Sequence, residues 1–343
     1  MRAPWPRWIE IGIERARARG PAIAAIGLCL LLAVPGCKLL DDAGQPRGGN
    51  LGEEPSGGAS PGATGRGKKH KDKSGDAGAA PGTASPAPAP PPRADRGGSS
   101  SIHLAMGTPV DADPSDDYLI ERPQYAVSYN RNRNDPNWVS WNLDDGWMGH
   151  TPRRKGKFIT DDSLPPGFYR VEDRDYAGSG YDRGHMTRSE DRSRSPEDMA
   201  ATFILTNILP QKHELNAGPW LRLEDYSEDL ARKEGKELFI VAGGIFDKSP
   251  PTIGKGVAVP TSCFKIAVVL DRGQGVKDVS ESTRVIAVIM PNVGGILDNP
   301  WGPYRVSVDE VEKRTGYRFL TALPEGIKRA LSSRVDTGPT TLR

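Results

Sequence analysis

The sequence predicts an α+β fold in which a mainly antiparallel central sheet is flanked by helices, and three observations carry that prediction. Residues 237–242, 263–270 and 284–290 are near-continuous apolar runs separated by glycine- and proline-rich loops, as expected of strands in the middle of a sheet covered on both faces. Residues 125–129 and 138–143 alternate instead, the second with aromatics on alternate positions, which is strand periodicity. Ser195-Pro196-Glu197-Asp198 and Ser307-Val308-Asp309-Glu310 each offer a capping hydroxyl followed three residues later by an acid, the signature of a helix start. Strands and helices segregated along the chain in this way give an α+β architecture.

The chain of 343 residues has length enough for two domains, yet composition argues for one. Residues 41–100 are mostly Gly, Pro, Ala, Ser and charge, and cannot bury enough apolar surface to offset their ordering entropy. The folded domain is therefore expected at residues 111–330, with 38–110 as a disordered tether and 331–343 as a tail. At the amino terminus, Arg15, Arg17 and Arg19 precede an apolar run over residues 23–34 that ends in Pro35-Gly36-Cys37. A basic region, a short apolar region and a small residue at the junction make residues 1–37 an export signal, and the apolar run is too short for a comfortable transmembrane helix. Val34-Pro35-Gly36-Cys37 resembles a bacterial lipobox, which implies a lipid on Cys37 and a lipid-anchored position in the cell envelope, at the outer membrane or surface. Lys38 follows that cysteine where Asp would signal inner-membrane retention. The alternative is an ordinary secretory signal cut nearby, and a secreted protein. Within the tether, Pro86-Ala87-Pro88-Ala89-Pro90-Pro91-Pro92 reads as an extended spacer, and Lys68-Lys69-His70-Lys71-Asp72-Lys73 as a solvated charge run.

In chain order, residues 125–129 and 138–143 form an antiparallel pair across the turn-rich residues 130–137. Arg153-Arg154-Lys155-Gly156-Lys157-Phe158 follows, then the acidic turn Asp161-Asp162. Asp182-Arg183-Gly184-His185 reads as a turn. The helix begun at Ser195 carries Met199, Phe203 and Leu205 inward and stops near Asn207. A second helix runs from about Pro219 to Gly235, a suitable C-terminal glycine. The three apolar strands come next, and the helix begun at Ser307 ends at Gly316. The formal net charge is +2, divided as about +5 on residues 1–110 and about −3 on the rest. Nucleic-acid binding by the folded part therefore calls for a local arginine patch against a mildly acidic background. Of the three cysteines only Cys263 lies in the folded part, so no intradomain disulfide is expected. The same count, with no CxxC and no HxxxH, excludes a zinc site.

The chemistry concentrates in residues 181–225. His185 follows a glycine among charged residues; its proton affinity suits a general base near neutrality, whereas a lone turn histidine is more often structural. Asn216 offers a neutral amide oxygen to Mg²⁺, an ion that keeps most of its waters, or else caps the helix that begins near Pro219. Glu224 lies eight residues beyond Asn216, with Trp220 midway, and steps of four share a helix face, so its carboxylate can accept from metal-bound waters. Trp220 reads as packing. Asn207 and Gln211 bracket Pro210 in a sharp turn, Asn207 holding either the histidine region or a metal-bound water, Gln211 holding the loop. Arg183, Arg153 and Arg154 are the candidate phosphate partners, since a guanidinium forks onto phosphate oxygens. His213 reads as surface.

Together, Asp182-Arg183-Gly184-His185, Asn207-Ile208-Leu209-Pro210-Gln211 and Leu215-Asn216-Ala217-Gly218-Pro219-Trp220 followed by Leu223-Glu224 resemble the DNA/RNA non-specific endonuclease family, the sugar-nonspecific nucleases that include endonuclease G. The resemblance covers nearly all of residues 120–325 and implies a ββα-metal fold. It implies a Mg²⁺-dependent hydrolase, with Mn²⁺ as a substitute, leaving 5′-phosphates and 3′-hydroxyls. His185 would be the general base and Asn216 the direct metal ligand. Glu224 and Asn207 would act through the metal's waters. Arg183 would support phosphate and transition state, and Arg154, or else Arg153, would neutralise developing charge. Arg153, Asp182, Gln211 and Arg222 complete the expected substrate contacts. The expected partners are the DNA and RNA backbone, a membrane reached through Cys37, and a second copy of the chain in a homodimer. Two other readings stand beside this one: an anchored nucleic-acid-binding lipoprotein that has lost turnover, and a phosphodiesterase acting on small diesters.

Overall fold

The computed structural model describes residues 101–342; the expected signal, Cys37 and most of the expected tether lie outside them. Strands β1 (Tyr118–Glu121), β2 (Ala126–Asn130), β3 (Asp135–Leu143), β6 (Lys236–Ile245), β9 (Ser262–Asp271), β10 (Arg284–Pro291) and β11 (Arg305–Val306) form a seven-stranded sheet in the order β1-β2-β3-β6-β9-β10-β11. Every neighbouring pair is antiparallel. Two hairpins stand apart: β4 (Asp182–His185) with β5 (Ile208–Gln211), and β7 (Thr252–Ile253) with β8 (Val257–Ala258).

The continuous apolar strands are explained by two separate cores, one on each face. Leu238, Ile240 and Ala242 of β6, with Ile286, Val288 and Met290 of β10, join a core containing Trp220, Leu223, Tyr226 and Leu230. The last three belong to helix α2 (Leu221–Lys233). The alternate residues Phe239, Val241, Val285, Ala287 and Ile289 pack with Val308 and Val311 of helix α3 (Val308–Thr315) and with Leu331 of helix α4 (Glu325–Ser332). With both faces covered, strand polarity need not alternate.

The capping expectations hold where the hydroxyl does the work. Ser195 accepts from Asp198 N at 3.1 Å at the start of helix α1 (Pro196–Thr202), and Ser307 accepts from Glu310 N at 3.2 Å. The Asp198 carboxylate, expected to reciprocate, is instead held by Gln124 and Arg194 at 2.8 and 3.0 Å. Gly316 ends α3 in the left-handed region at φ 84°. Asp182-Arg183-Gly184-His185 is not a turn, and neither is Pro210: they face each other as Arg183↔Pro210 in the β4–β5 hairpin. Proline is tolerated there because the hairpin is two-stranded and both strands are edges.

The fold also begins before residue 111 and continues past 330. His103 Nε2 lies 2.8 Å from Pro123 O, Asn142 N donates to His103 Nδ1 at 3.2 Å, and Leu104 and Met106 are buried. At the other end Val335 bridges Ser307, and Asp336 pairs with Arg284 at 2.9 Å and Arg305 at 3.2 Å. Three of these docking partners, Asn142, Arg284 and Arg305, belong to the sheet and lie 31 to 52 residues from the residues they hold. Residues 144–235, which hold every residue expected at the nuclease site, leave the sheet after β3 and return at its neighbour β6.

Candidate active site

The β4–β5 hairpin fixes the histidine. Gly184 is required by close approach: a Cβ there would lie 2.0 Å from Gln211 Oε1. His185 at the end of β4 packs against Phe158 and Phe203, ring centroids 5.3 and 5.0 Å away, and its Nε2 is buried without a hydrogen-bond partner. Burial first, and the Arg153 charge second, push its pKa down to about 3, so the ring is neutral near pH 7. Asn207 ties the chain just after β4 to the end of helix α1. Its Oδ1 accepts from Thr187 N at 2.9 Å, and its Nδ2 donates to Thr187 O and Thr202 O at 2.9 and 2.8 Å. Fully buried with its amide occupied, Asn207 is a positioning residue for the chain after His185, not the ligand of a metal-bound water that the resemblance implied.

Asn216 stands one supersecondary step away. Its N–H donates to Lys212 O at 2.9 Å, and its Nδ2 donates to Asp182 Oδ2 at 3.0 Å. The chain then kinks at Gly218, with φ −101° and ψ −120°, before α2 begins. Glycine is needed because a Cβ would sit 2.8 Å from Leu297 O. Glu224 on α2 is 8% exposed and takes Lys265 Nζ at 3.2 Å. Lys265 rises from β9, 2% exposed, with its ammonium 4.2 Å from the Trp220 ring centroid. Trp220 is thus both packing and the support of the cation that holds Glu224.

These residues meet. His185, Asn216 and Glu224 line one cleft of about 370 Å³ together with Asp182, Arg153, Arg183, Arg188 and Glu190. Arg183 is fixed by Asp173, Nε 2.8 Å from Oδ1 and Nη2 donating to the backbone O at 2.6 Å, and lies over the Phe158 and Tyr176 rings. Arg153 lines the cleft; Arg154 does not, its Nη1 donating to Lys157 O at 2.5 Å with the guanidinium over Phe203. Both guanidinium groups sit over the same Phe203 ring, 5.9 Å away for Arg153 and 5.4 Å for Arg154, and what separates them is the partner each takes, Glu190 or Lys157 O, which the sequence could not say.

Gln211 and Arg222 are also displaced from their expected roles. Gln211 is fully buried and donates to Cys263 Sγ at 3.3 Å; Arg222 donates to Leu297 O at 2.7 Å; neither lines the cleft. Cys263 is free, buried and, with its thiol pushed up by burial to about 12, inert. Arg188, Glu190, Asp173 and Lys265 were not anticipated. In sequence each is one charged residue among many, and partners 10 to 41 residues away, Arg183 for Asp173, Glu228 for Arg188, Arg153 for Glu190 and Glu224 for Lys265, bring them to the cleft.

Asn216, Asp182 and Glu224 supply amide and carboxylate oxygens, and the Asn216 Nδ2 bond to Asp182 leaves Oδ1 without a donor among the described residues. That donor set fits a hard, water-carrying divalent ion such as Mg²⁺. A separate carboxylate trio, Asp111, Asp116 and Asp117, has oxygens within 4.8 Å of one another. None of the three lines the cleft, and Asp117 is engaged by Asn137 and Tyr317 at 2.8 and 2.7 Å.

Residues 103–326 match the family model described as DNA/RNA non-specific endonuclease. A nuclease of Nostoc sp. is 45% identical over 251 residues, 72% of this chain and 90% of that protein. The mitochondrial nuclease EXOG of Xenopus laevis is 32% identical over 240 residues, 64% of this chain and 65% of that one. A chain of the solved EndoG/EndoGI complex superposes with a TM-score of 0.55 at 26% identity, over 65% of this chain and 91% of the other.

Proposed function

The chain belongs to the DNA/RNA non-specific endonuclease family and is a hydrolase of that class, and from this premise we propose that it cuts DNA and RNA phosphodiesters with His185 as general base and Mg²⁺, or Mn²⁺ in its place, held at Asn216. The observation that supports this reading is the convergence of His185, Asn216 and Glu224 with Arg153 and Arg183 on a single cleft. A neutral imidazole at physiological pH is ready to take a proton from water. Attack on phosphorus builds negative charge on the non-bridging and leaving oxygens. Arg183, locked by Asp173 and two aromatic rings, presents a fixed guanidinium to that charge, and Arg153 rather than Arg154 is the second, more mobile, cleft arginine that can reach it. Glu224, oriented by Lys265, accepts hydrogen bonds from water in the cleft. When bound, Mg²⁺ supplies positive charge to the phosphate oxygens during attack. The P–O3′ bond breaks as the water oxygen bonds to phosphorus, and the departing 3′ oxygen takes a proton from water in the cleft, leaving a 3′-hydroxyl and a 5′-phosphate. None of these groups reads a base edge, so little sequence preference follows.

The test is cleavage of plasmid DNA and of RNA by the full chain. Activity on both is expected with Mg²⁺ or Mn²⁺, and none with chelator or in His185→Ala. Metal-independent cutting would overturn the site. DNA binding without cleavage would favour the binding-protein reading, and turnover of a small chromogenic diester alone would favour the small-diester one. We also propose export and a lipid on Cys37, supported by the arginine-flanked apolar run and by Val34-Pro35-Gly36-Cys37. Labelled palmitate should enter the wild type and not Cys37→Ser.

A further inference from the structure

Two of the three cleft arginines share one carboxylate. Arg153 Nη1 lies 2.7 Å from Glu190 Oε1, and Arg188 Nε lies 3.1 Å from Glu190 Oε2. One anion with a guanidinium on each oxygen copies the way phosphate bridges two arginines, and all three residues line the cleft. Ser189 Oγ adds a donor to Oε2 at 2.7 Å. The two arginines differ in how firmly they are held. Arg188 keeps its position through Asp225 at 2.8 Å and Glu228 at 3.3 Å whatever Glu190 does. Arg153 has a side chain 57% exposed, with no second carboxylate partner among the described residues, so it is free to change partners.

We propose that Arg153 and Arg188 form a subsite for a backbone phosphate of the polynucleotide and that Glu190 occupies it as an internal competitor until substrate displaces it. This rests on the reading of the cleft as a nuclease site. Binding then exchanges one bridging anion for another, and the released Glu190 is left facing a polyanion. Glu190 therefore weakens binding to nucleic acid. Its side chain is fully ionised near neutrality, with a pKa of about 2 set by Ser189 and the two arginines against its burial.

The experiment measures binding of a labelled short DNA duplex to the full chain in chelator, where no cleavage competes, across a range of salt. Glu190→Gln removes the charge and keeps the shape; Glu190→Ala covers the case in which the amide still bridges the arginines. Both are expected to bind about tenfold more tightly at low salt, with a salt dependence steeper by about one released ion. Arg188→Gln should weaken binding in the wild type and in Glu190→Gln alike. With Mg²⁺, KM for DNA should fall in Glu190→Gln. Unchanged or weaker binding in both Glu190 variants would overturn the proposal, because a residue that merely orders Arg153 gives that result. If the wild type fails to cleave while the variants still tighten, the nuclease reading falls and the competitor role stands. If the wild type cleaves and the variants do not tighten, only the competitor role falls.

Discussion

His185 and His103 are both buried and neutral, yet they answer to different needs. His185 has a sealed Nε2 and a place in the cleft; His103 spends both ring nitrogens on backbone partners that pin the first described residues to the sheet. Burial, helped by the Arg192 charge, pushes His103 down to about 4. A folded pKa below the unfolded value of 6.5 means the unfolded chain binds the proton more readily. This contribution to stability is therefore complete above pH 6.5 and is lost as pH falls towards 4. The full shift corresponds to roughly 3 kcal/mol. His185 has the same sign, whereas Asp191, raised by burial to about 6, gains relative stability over part of the same window. The difference between wild type and His103→Gln isolates the one residue. In urea unfolding at pH 7 and pH 4.5 the wild type should lose more stability than His103→Gln, and parallel losses would refute the assignment.

At the scale of elements, the β4–β5 hairpin shows how much could be read beforehand. Its residues were recognisable as chemistry-bearing, but as turns, because the partner strand lies more than twenty residues away and each strand is only four residues long. Long strands with apolar runs and helices with a capping serine were legible because their signals are local. Arg153 against Arg154, the occupied amide of Asn207 and the burial of Gln211 were not, since each depends on which way a side chain faces in the assembled fold. Lys265 was hidden for the opposite reason: a lysine in an apolar strand gives no hint that an acid on α2 awaits it. The hairpin also makes a prediction. Gly184→Ala drives a Cβ into Gln211 and should cost about 1–3 kcal/mol, as overpacked sites do. Gln211→Ala in the same chain should recover part of that loss, a non-additivity measurable by a double-mutant cycle in urea. Strict additivity would show that the two side chains do not compete for one space.

For the whole molecule, a sheet with two covered faces separates scaffold from chemistry: one core carries the excursion that builds the cleft and takes in Leu342 near the carboxyl end, while the other is closed by α3, α4 and the amino-terminal Leu104 and Met106. Asp336 is the fastening at the carboxyl end, buried between Arg284 and Arg305, and those contacts hold its carboxyl below the usual range against the cost of burial. Asp336→Asn should lower the melting temperature by several degrees, equivalent to about 1–3 kcal/mol, while leaving cleavage per folded molecule unchanged; an unaltered melting temperature would show that the tail adds nothing. The cleft is assembled from β4, the kink at Gly218 and α2, and the proposal that depends most on this assembly is that the neutral His185 imidazole takes the proton of the attacking water. Chemical rescue tests this most directly. His185→Gly, in Mg²⁺, should lose about 10²–10⁴-fold in cleavage rate and regain part of it with added imidazole, while the wild type gains nothing. A His185→Gly protein that cuts DNA at the wild-type rate without imidazole would contradict the account.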